Sequence, residues 1–331
     1  MLLRCGMKRL LTLFLTFALC LSLTACGGAY ERADDGKITI VAAIFPEYDW
    51  LRNLTAGSDR VELKLLIDKG VDLHSYQPNV NDIVTISNCD VFVYSGGASD
   101  VWVEDVIETA MNPKLIALDL MELLELHREL CDDGHDHDHA HEDEHEEHEH
   151  TADEHIWLSL VNAGHLCEEL TELLCELDMD NEQLYRSNLA AYSKKIGELD
   201  ERYYAALSET NHETILFADR FPFAYLMEDY DLHYHAAYEG CSAETEVSFD
   251  TFAQLSETLS VLDLPGVVVI DDSDHRIADT VISASGDKSR EIYTLQSMQA
   301  IGRRQIKDGI TYLKIMEENL SVLERALNGG A

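Results

Sequence analysis

No Walker-type glycine-rich loop occurs in the 331 residues, so nothing in this chain cradles nucleotide phosphates as a P-loop ATPase does. Cysteine is scarce: there are eight, and no two stand in a CxxC pair. That removes the common zinc-finger and dithiol-redox frameworks. Beyond Cys26 there remain Cys89, Cys131, Cys167, Cys175 and Cys241, odd in number and widely spaced. Most of them read as small buried apolar residues, with a disulfide from Cys131 left open. Basic residues are also few, 24 Lys and Arg against 63 Asp and Glu. A chain this acidic repels nucleic acid, which excludes that class of partner. Between Arg128 and Arg186 there is no Lys or Arg at all. The apolar run near the start, Leu10 to Leu23, has only fourteen residues. A bilayer-crossing helix needs about twenty, so the run makes a poor transmembrane anchor.

A secretory signal fits that run better. Arg4, Lys8 and Arg9 precede it, and small residues with Cys26 follow it. The sequence "LTAC" followed by two glycines resembles the bacterial lipobox, in which the cysteine becomes the lipidated first residue. The expectation is a signal peptide over 1–25, lipidation at Cys26 and a small, polar tether over 26–37. Two or more acyl chains hold a protein stably on a membrane. The expected location is therefore exported, lipid-anchored to the outer face of the cell membrane. About 305 residues then remain, with 21 basic against 63 acidic and a formal charge of −42. That length accommodates two ordinary domains.

Apolar runs alternate with amphipathic stretches along the rest. Ile38–Ile44, Val61–Ile67, Val91–Tyr94 and Leu115–Leu120 read as strands of a buried parallel sheet. Phe45–Pro46 is expected to turn the chain into a short helix over Asp49–Leu54. Leu166, Leu170, Leu173, Leu174 and Leu177 share one helical face. Leu189, Tyr192, Ile196, Leu199 and Tyr203 mark a longer helix of roughly seven turns. Then "ETILFADRFPFAYLMEDYDLHYHAAY" repeats the order strand, Phe–Pro, helix, strand of "ITIVAAIFPEYDWLRNL…VELKLLI". Strands at Val267–Ile270 and Glu291–Leu295 follow, with helices near Phe252–Leu262, Ile277–Ser285 and Gln305–Ala326.

The expected fold is α/β: two small lobes with mostly parallel sheets, joined by a long rigid helix, with a site in the cleft between them. The N-terminal lobe spans 38–158 and includes a His-rich loop over 132–150. A helical region with the linking helix spans 159–210, and the C-terminal lobe spans 211–331.

The densest feature is "HDHDHAHEDEHEEHEH". It holds seven histidines, His135, His137, His139, His141, His145, His148 and His150, and all but one of its other residues are acidic. Imidazole and carboxylate suit borderline divalent ions such as zinc. His141 to His145 spell HExxH, but metalloprotease use of that motif needs both histidines on a packed helix, and the flanks offer no apolar face. A purely solvating loop has no need of histidine. The tract is expected to capture metal flexibly and with low affinity.

Quieter residues are better placed for a fixed site. His74, in "VDLHSYQP", lies in a loop after the second strand, at the mouth expected of an α/β site. His155, in "ADEHIWLSLVNA", follows the tract directly. Asp219, in "FADRFPF", follows a strand of the second lobe, and Asp271 and Asp272, in "VVVIDDSD", follow another. Glu244 and Glu246, in "GCSAETEVSF", are further cleft candidates, equally suited to bonding loop backbone. Gln296 and Gln299, in "TLQSMQAI", offer weaker donors.

On these motifs the chain resembles the substrate-binding lipoproteins of zinc and manganese ABC importers, the cluster A-I metal-binding solute-binding proteins. The resemblance covers essentially residues 38–327. "DLHSYQP" is similar to that family's first-ligand motif and carries His74, and "DEHIWLSLVNA" is similar to its second and carries His155. A charged loop just before the second motif is a feature of zinc-specific members. The resemblance implies a third histidine where this chain has Asp219, and a carboxylate ligand best matched by Asp271, with Asp272 beside it. Two histidines and two carboxylates form a harder set that suits manganese. The tract and the Irving–Williams order favour zinc, which is the metal expected, with manganese the alternative. A tract histidine completing the coordination is a further option.

The expected function is capture, not catalysis: a monomer holds the ion between its lobes and hands it to a membrane permease with its ATPase. The rigid linking helix implies small lobe movements. Two other readings compete. One is a surface-anchored zinc hydrolase with Glu154 or Glu244 as base. The other is a zinc-buffering or adhesion lipoprotein without a transporter.

Overall fold

The computed structural model describes residues 36–131, 153–238, 241 and 247–329. The first sheet contains β1 (Ile38–Ala42), β2 (Val61–Leu65), β3 (Val91–Tyr94) and β4 (Ile116–Asp119). Their order is β2-β1-β3-β4, and every pairing is parallel. Ile40 sits opposite Leu63 on one side and Val91 on the other. The central strands are sealed on both faces, with Val41, Ala42, Val91, Phe92 and Val93 all buried. A strand covered on both sides has no polar face, hence the unbroken apolar runs.

The second sheet repeats this plan. It contains β5 (Thr214–Phe217), β6 (His233–Ala236), β7 (Gly266–Ile270) and β8 (Glu291–Leu295), in the order β6-β5-β7-β8 and again all parallel. The two orders match strand for strand, so the sequence echo reflects a structural repeat.

The helices of the first half are α1 (Phe45–Leu54), α2 (Val80–Ser87), α3 (Trp102–Glu108), α4 (Leu120–Cys131), α5 (Leu160–Leu177) and α6 (Glu182–Leu207). Those of the second are α7 (Ala224–Asp229), α8 (Phe249–Val261), α9 (Arg276–Ala284), α10 (Arg303–Lys307) and α11 (Tyr312–Asn328). Two expectations need correction. Phe45 and Pro46 form the first turn of α1 rather than a bend before it. Proline lacks only an N–H that this turn leaves unbonded anyway. The helix expected over Gln305–Ala326 is two helices, broken where Gly309 takes φ +90°. That left-handed conformation suits glycine, and the Thr311 side chain then caps α11 by accepting from Lys314 N.

α6 runs for 26 residues, with Tyr185, Tyr192, Ile196, Leu199, Tyr203 and Leu207 buried along one stripe. It packs on α5, α1 and α11. The Tyr203 hydroxyl donates to Met316 O at 2.5 Å, tying α6 to α11. Trp50, Trp157, Tyr203, Phe217, Phe223 and Tyr312 belong to one core that runs through both lobes. Each such side chain contributes about 1.5–3 kcal/mol by burial. A smaller cluster of Leu216, Leu259, Val267, Val269 and Val281 lies in the second lobe, against α8 and α9. The lobes thus share a core, and the cleft opens where the carboxyl ends of the strands face each other.

Candidate metal centre

His74 sits in a single helical turn, Leu73–Ser75, that follows β2. Asp72 starts the turn by accepting from His74 N at 2.9 Å. His155 precedes a similar turn, Ile156–Leu158, whose apolar side chains are all buried. That turn is fastened to the second lobe. Trp157 Nε1 donates to Ser297 O at 2.9 Å, the Tyr312 hydroxyl donates to Trp157 O at 2.8 Å, and the Tyr225 hydroxyl donates to Asp153 O at 3.0 Å. Cys241 follows β6, and Gln299 follows β8.

These four side chains meet. His74 Nε2 lies 3.2 Å from His155 Nε2. Gln299 Nε2 lies 3.2 Å from His74 Nε2 and 3.2 Å from Cys241 Sγ, to which it donates. One donor atom each from His74, His155 and Cys241 falls within 4.8 Å of the others, the one such group of three among the described residues. Bonds of about 2.0–2.3 Å in a tetrahedral zinc site put donor atoms roughly 3.3–3.8 Å apart, close to the 3.2 Å between the two imidazole Nε2 atoms. His155, Cys241 and Gln299 are buried, at 3%, 8% and 3% exposure. His74 is half-buried and forms the solvent side of the group.

A second row of groups fixes the rings. His74 Nδ1 lies 2.8 Å from Ser99 Oγ and 3.1 Å from Glu154 Oε1. Glu154 also accepts from Ser99 N at 2.8 Å and from Ser99 Oγ at 2.7 Å. His155 Nδ1 lies 2.5 Å from Asp153 Oδ1. With Nδ1 of each ring donating to this oxygen row, Nε2 is left to coordinate. Burial pushes the Glu154 carboxyl up, but the bonds from His74 and Ser99 outweigh it and hold the group below its ordinary range. Burial pushes the Cys241 thiol up to about 12, against the pull of the Gln299 amide and the Arg220 charge. A cation taking the thiolate must therefore displace a proton.

Of the residues expected from sequence, the structure brings together His74 and His155. Asp219, Asp271 and Asp272 stand at strand ends as expected but do not join that group. Asp219 Oδ1 accepts from Arg220 N at 2.8 Å. Asp271 Oδ1 accepts from Ser297 N and from Ser297 Oγ, each at 2.9 Å, which fixes the loop that carries Gln299. Asp272 accepts from Arg220 Nη2 with both oxygens at 2.7 Å. Arg220 Nη1 in turn pairs with Asp72 at 3.0 Å, so one guanidinium bridges the two lobes beside the centre. Glu244, Glu246, the seven tract histidines and Cys26 lie outside the described residues. Sequence reasoning passed over Cys241 because a lone cysteine reads as a small apolar residue. The signal that could have marked it is its place in a polar loop after a strand, "YEGCSAETE".

Comparison with known proteins adds an independent finding. The family model described as zinc-uptake complex component A, periplasmic, matches residues 40–326. The zinc-binding lipoprotein AdcA of Streptococcus pneumoniae strain R6 is 29% identical over 323 residues, covering 96% of this chain and 61% of AdcA. The chain thus spans about three fifths of that relative's length. The high-affinity zinc uptake system protein ZnuA of Bacillus subtilis strain 168 is 27% identical over 314 residues, covering 95% of this chain and 94% of the relative. Among solved structures, the Zn(II)-bound ZnuA-like domain of S. pneumoniae AdcA matches with a TM-score of 0.68 at 24% identity, covering 88% of this chain and 100% of that one. That likeness establishes the two-lobed fold.

Proposed function

The chain belongs to the zinc-uptake complex component A family, and we propose that it captures zinc outside the cytoplasm and delivers it to an ABC importer. The observation that carries this reading is the convergence of His74, His155 and Cys241 donor atoms within 4.8 Å at the mouth of the cleft. Two imidazoles and a thiolate make a borderline-soft set, which favours zinc over manganese. The proposed ligands are His74, His155 and Cys241, in place of the His74, His155, Asp219 and Asp271 set expected from sequence. Gln299, 3.2 Å from both His74 Nε2 and Cys241 Sγ, closes the remaining side.

A carrier suits this arrangement better than a hydrolase. Glu154, the described candidate for a base, is already engaged by Ser99 and by His74, and these bonds lower its proton affinity. The chain acts as a monomer, tethered through Cys26 to the outer face of the membrane, and passes its ion to a separate permease and ATPase. The two curated relatives described above are named for zinc binding and zinc uptake.

Calorimetric titration tests the reading. The purified chain should bind zinc in one tight one-to-one step that His155→Ala removes, and should bind manganese more weakly. Equal affinity for the two metals, or a tight step that survives His155→Ala, would sink it.

A further inference from the structure

The loop that leads from β2 to His74, residues 68–72, is gripped by the second lobe at both ends. At its start Asp68 O accepts from Arg303 N at 2.8 Å, and the Arg303 guanidinium pairs with the Asp68 carboxylate. At its end Asp72 Oδ2 accepts from Arg220 Nη1 at 3.0 Å. The two arginines differ in setting. The Arg303 side chain is 82% exposed, whereas that of Arg220 is 17% exposed and that of Asp72 14%. An ion pair in open water contributes little, but removing one partner of a shielded pair leaves the other charge uncompensated.

Arg220 is built to reach across the cleft. It follows β5, with its N bonded to Asp219 Oδ1 at 2.8 Å. The next residue, Phe221, is buried against Phe217 with ring centroids 4.8 Å apart. Asp272, which follows β7, accepts from Arg220 Nη2 with both oxygens at 2.7 Å. The second lobe thus fixes the root of this side chain and one edge of its guanidinium, leaving Nη1 for the first lobe. A planar fork can serve two carboxylates at once in this way, and a lysine ammonium cannot match it. Asp72 is also used twice. Its Oδ1 accepts from His74 N at 2.9 Å and shapes the turn, while its Oδ2 takes the arginine. One carboxylate therefore joins the backbone of His74 to the opposite lobe.

Resting on the zinc reading above, we infer that Arg220 is a positioning residue of the metal centre: through Asp72 it holds the His74 turn against the second lobe, and so sets how fast a captured ion leaves. The segment of His155 is fastened to the second lobe by Trp157 and Tyr225. Release parts His74 from His155, and the Arg220–Asp72 pair opens in that step. Asp272 orients the guanidinium and touches no metal. Loss of a shielded charge pair across an interface acts chiefly on the dissociation rate.

Stopped-flow release of one equivalent of zinc into excess chelator tests the inference on the full chain. Arg220→Met keeps an unbranched stem without the fork, and should release zinc ~tenfold faster with one-to-one stoichiometry retained. Asp72→Asn keeps an oxygen for His74 N and should speed release to a similar degree. Combining the two should accelerate release less than ~twofold beyond either alone, because both remove the same bond. Arg220→Lys should restore only part of the wild-type retention. Arg303→Met should change release less than ~twofold. Asp272 is the most exposed of the three partners, so Asp272→Asn, expected to speed release severalfold, decides the matter even if the other variants fold poorly. Release at the wild-type rate from folded Arg220→Met or Asp272→Asn, full additivity of the Arg220 and Asp72 changes, or equal acceleration by Arg303→Met would each overturn the inference while leaving the centre standing. A wild-type chain without a tight one-to-one zinc step would bring down the zinc reading itself, and the inference with it.

Discussion

His74 Nε2 and His155 Nε2 stand 3.2 Å apart although 81 residues separate them in sequence. The two Nε2 atoms face each other at this distance, and an ion entering between them gains a coordinate bond from each ring. Removing either ring leaves a gap that the other cannot fill. His74→Ala and His155→Ala are each expected to weaken zinc binding by more than ~100-fold, beyond the range seen for outer partners of a metal site. Competition with a chromogenic chelator measures this directly.

Cys241 makes the centre softer than a histidine–carboxylate site. Loaded with cobalt, the wild-type chain should show a thiolate-to-metal charge-transfer band in the near ultraviolet. Cys241→Ser should lose that band and narrow the preference for zinc over manganese. A variant with the same spectrum and selectivity as wild type would remove Cys241 from the ligand set.

Glu154 acts through His74. Its carboxylate holds the Nδ1 side of the ring, and its own oxygens are fixed by Ser99. Glu154→Gln keeps the shape but weakens that hold, and a drop of about 10–100-fold in zinc affinity is expected with one-to-one stoichiometry retained. Stoichiometry from calorimetry separates this positioning role from direct coordination. Loss of the site altogether would point to coordination instead.

The tract over 132–150 is expected to add weak capacity to the tight centre. Deleting it should leave one tight zinc site and remove the weaker ones in the same titration. Loss of the tight step on deletion would mean that the tract itself is the primary site.

Asp100 ties stability to pH. Its carboxyl is held up to about 7 in the folded chain, first by burial, against about 3.9 in an unfolded one. Between those values the folded state keeps a proton that the unfolded state has lost, so stability falls as pH rises from about 4 to about 7. The gap corresponds to at most ~4 kcal/mol. Asp100→Asn, which cannot ionise, should raise Tm at pH 8 in the presence of a chelator and leave it nearly unchanged at pH 4. Equal shifts at both pH values would show that the carboxyl does not titrate in this range.

Much of the fold is legible in the sequence because the central strands β1, β3, β5 and β7 are buried on both faces. Val91–Tyr94 reads with the same boundaries from its apolar run as from the structure. The break in the C-terminal helix was harder, since Gly309 marks it only through a conformation that a periodicity argument does not see. His74 and His155 stand out because they follow strand-and-loop patterns with local meaning. Cys241 does not, because its neighbours come from far away: Gln299 is 58 residues on, and His74 is on the other lobe. Asp271 and Asp272 occupy the strand end that a ligand would, and there Asp271 Oδ1 bonds Ser297 while Asp272 bonds Arg220. Strand-end position is readable from sequence, whereas the partner a side chain finds there is decided by tertiary packing.

The fastening of the 153–157 segment determines where the molecule yields. Tyr225, Ser297 and Tyr312, all from the second half of the chain, grip it, while from the first lobe Ser99 holds it through Glu154. His155 therefore belongs mechanically to the second lobe although it is encoded with the first. The seam of the molecule passes between the two histidine rings. Separating the lobes would therefore part His74, held from the first lobe through Ser99 and Glu154, from His155.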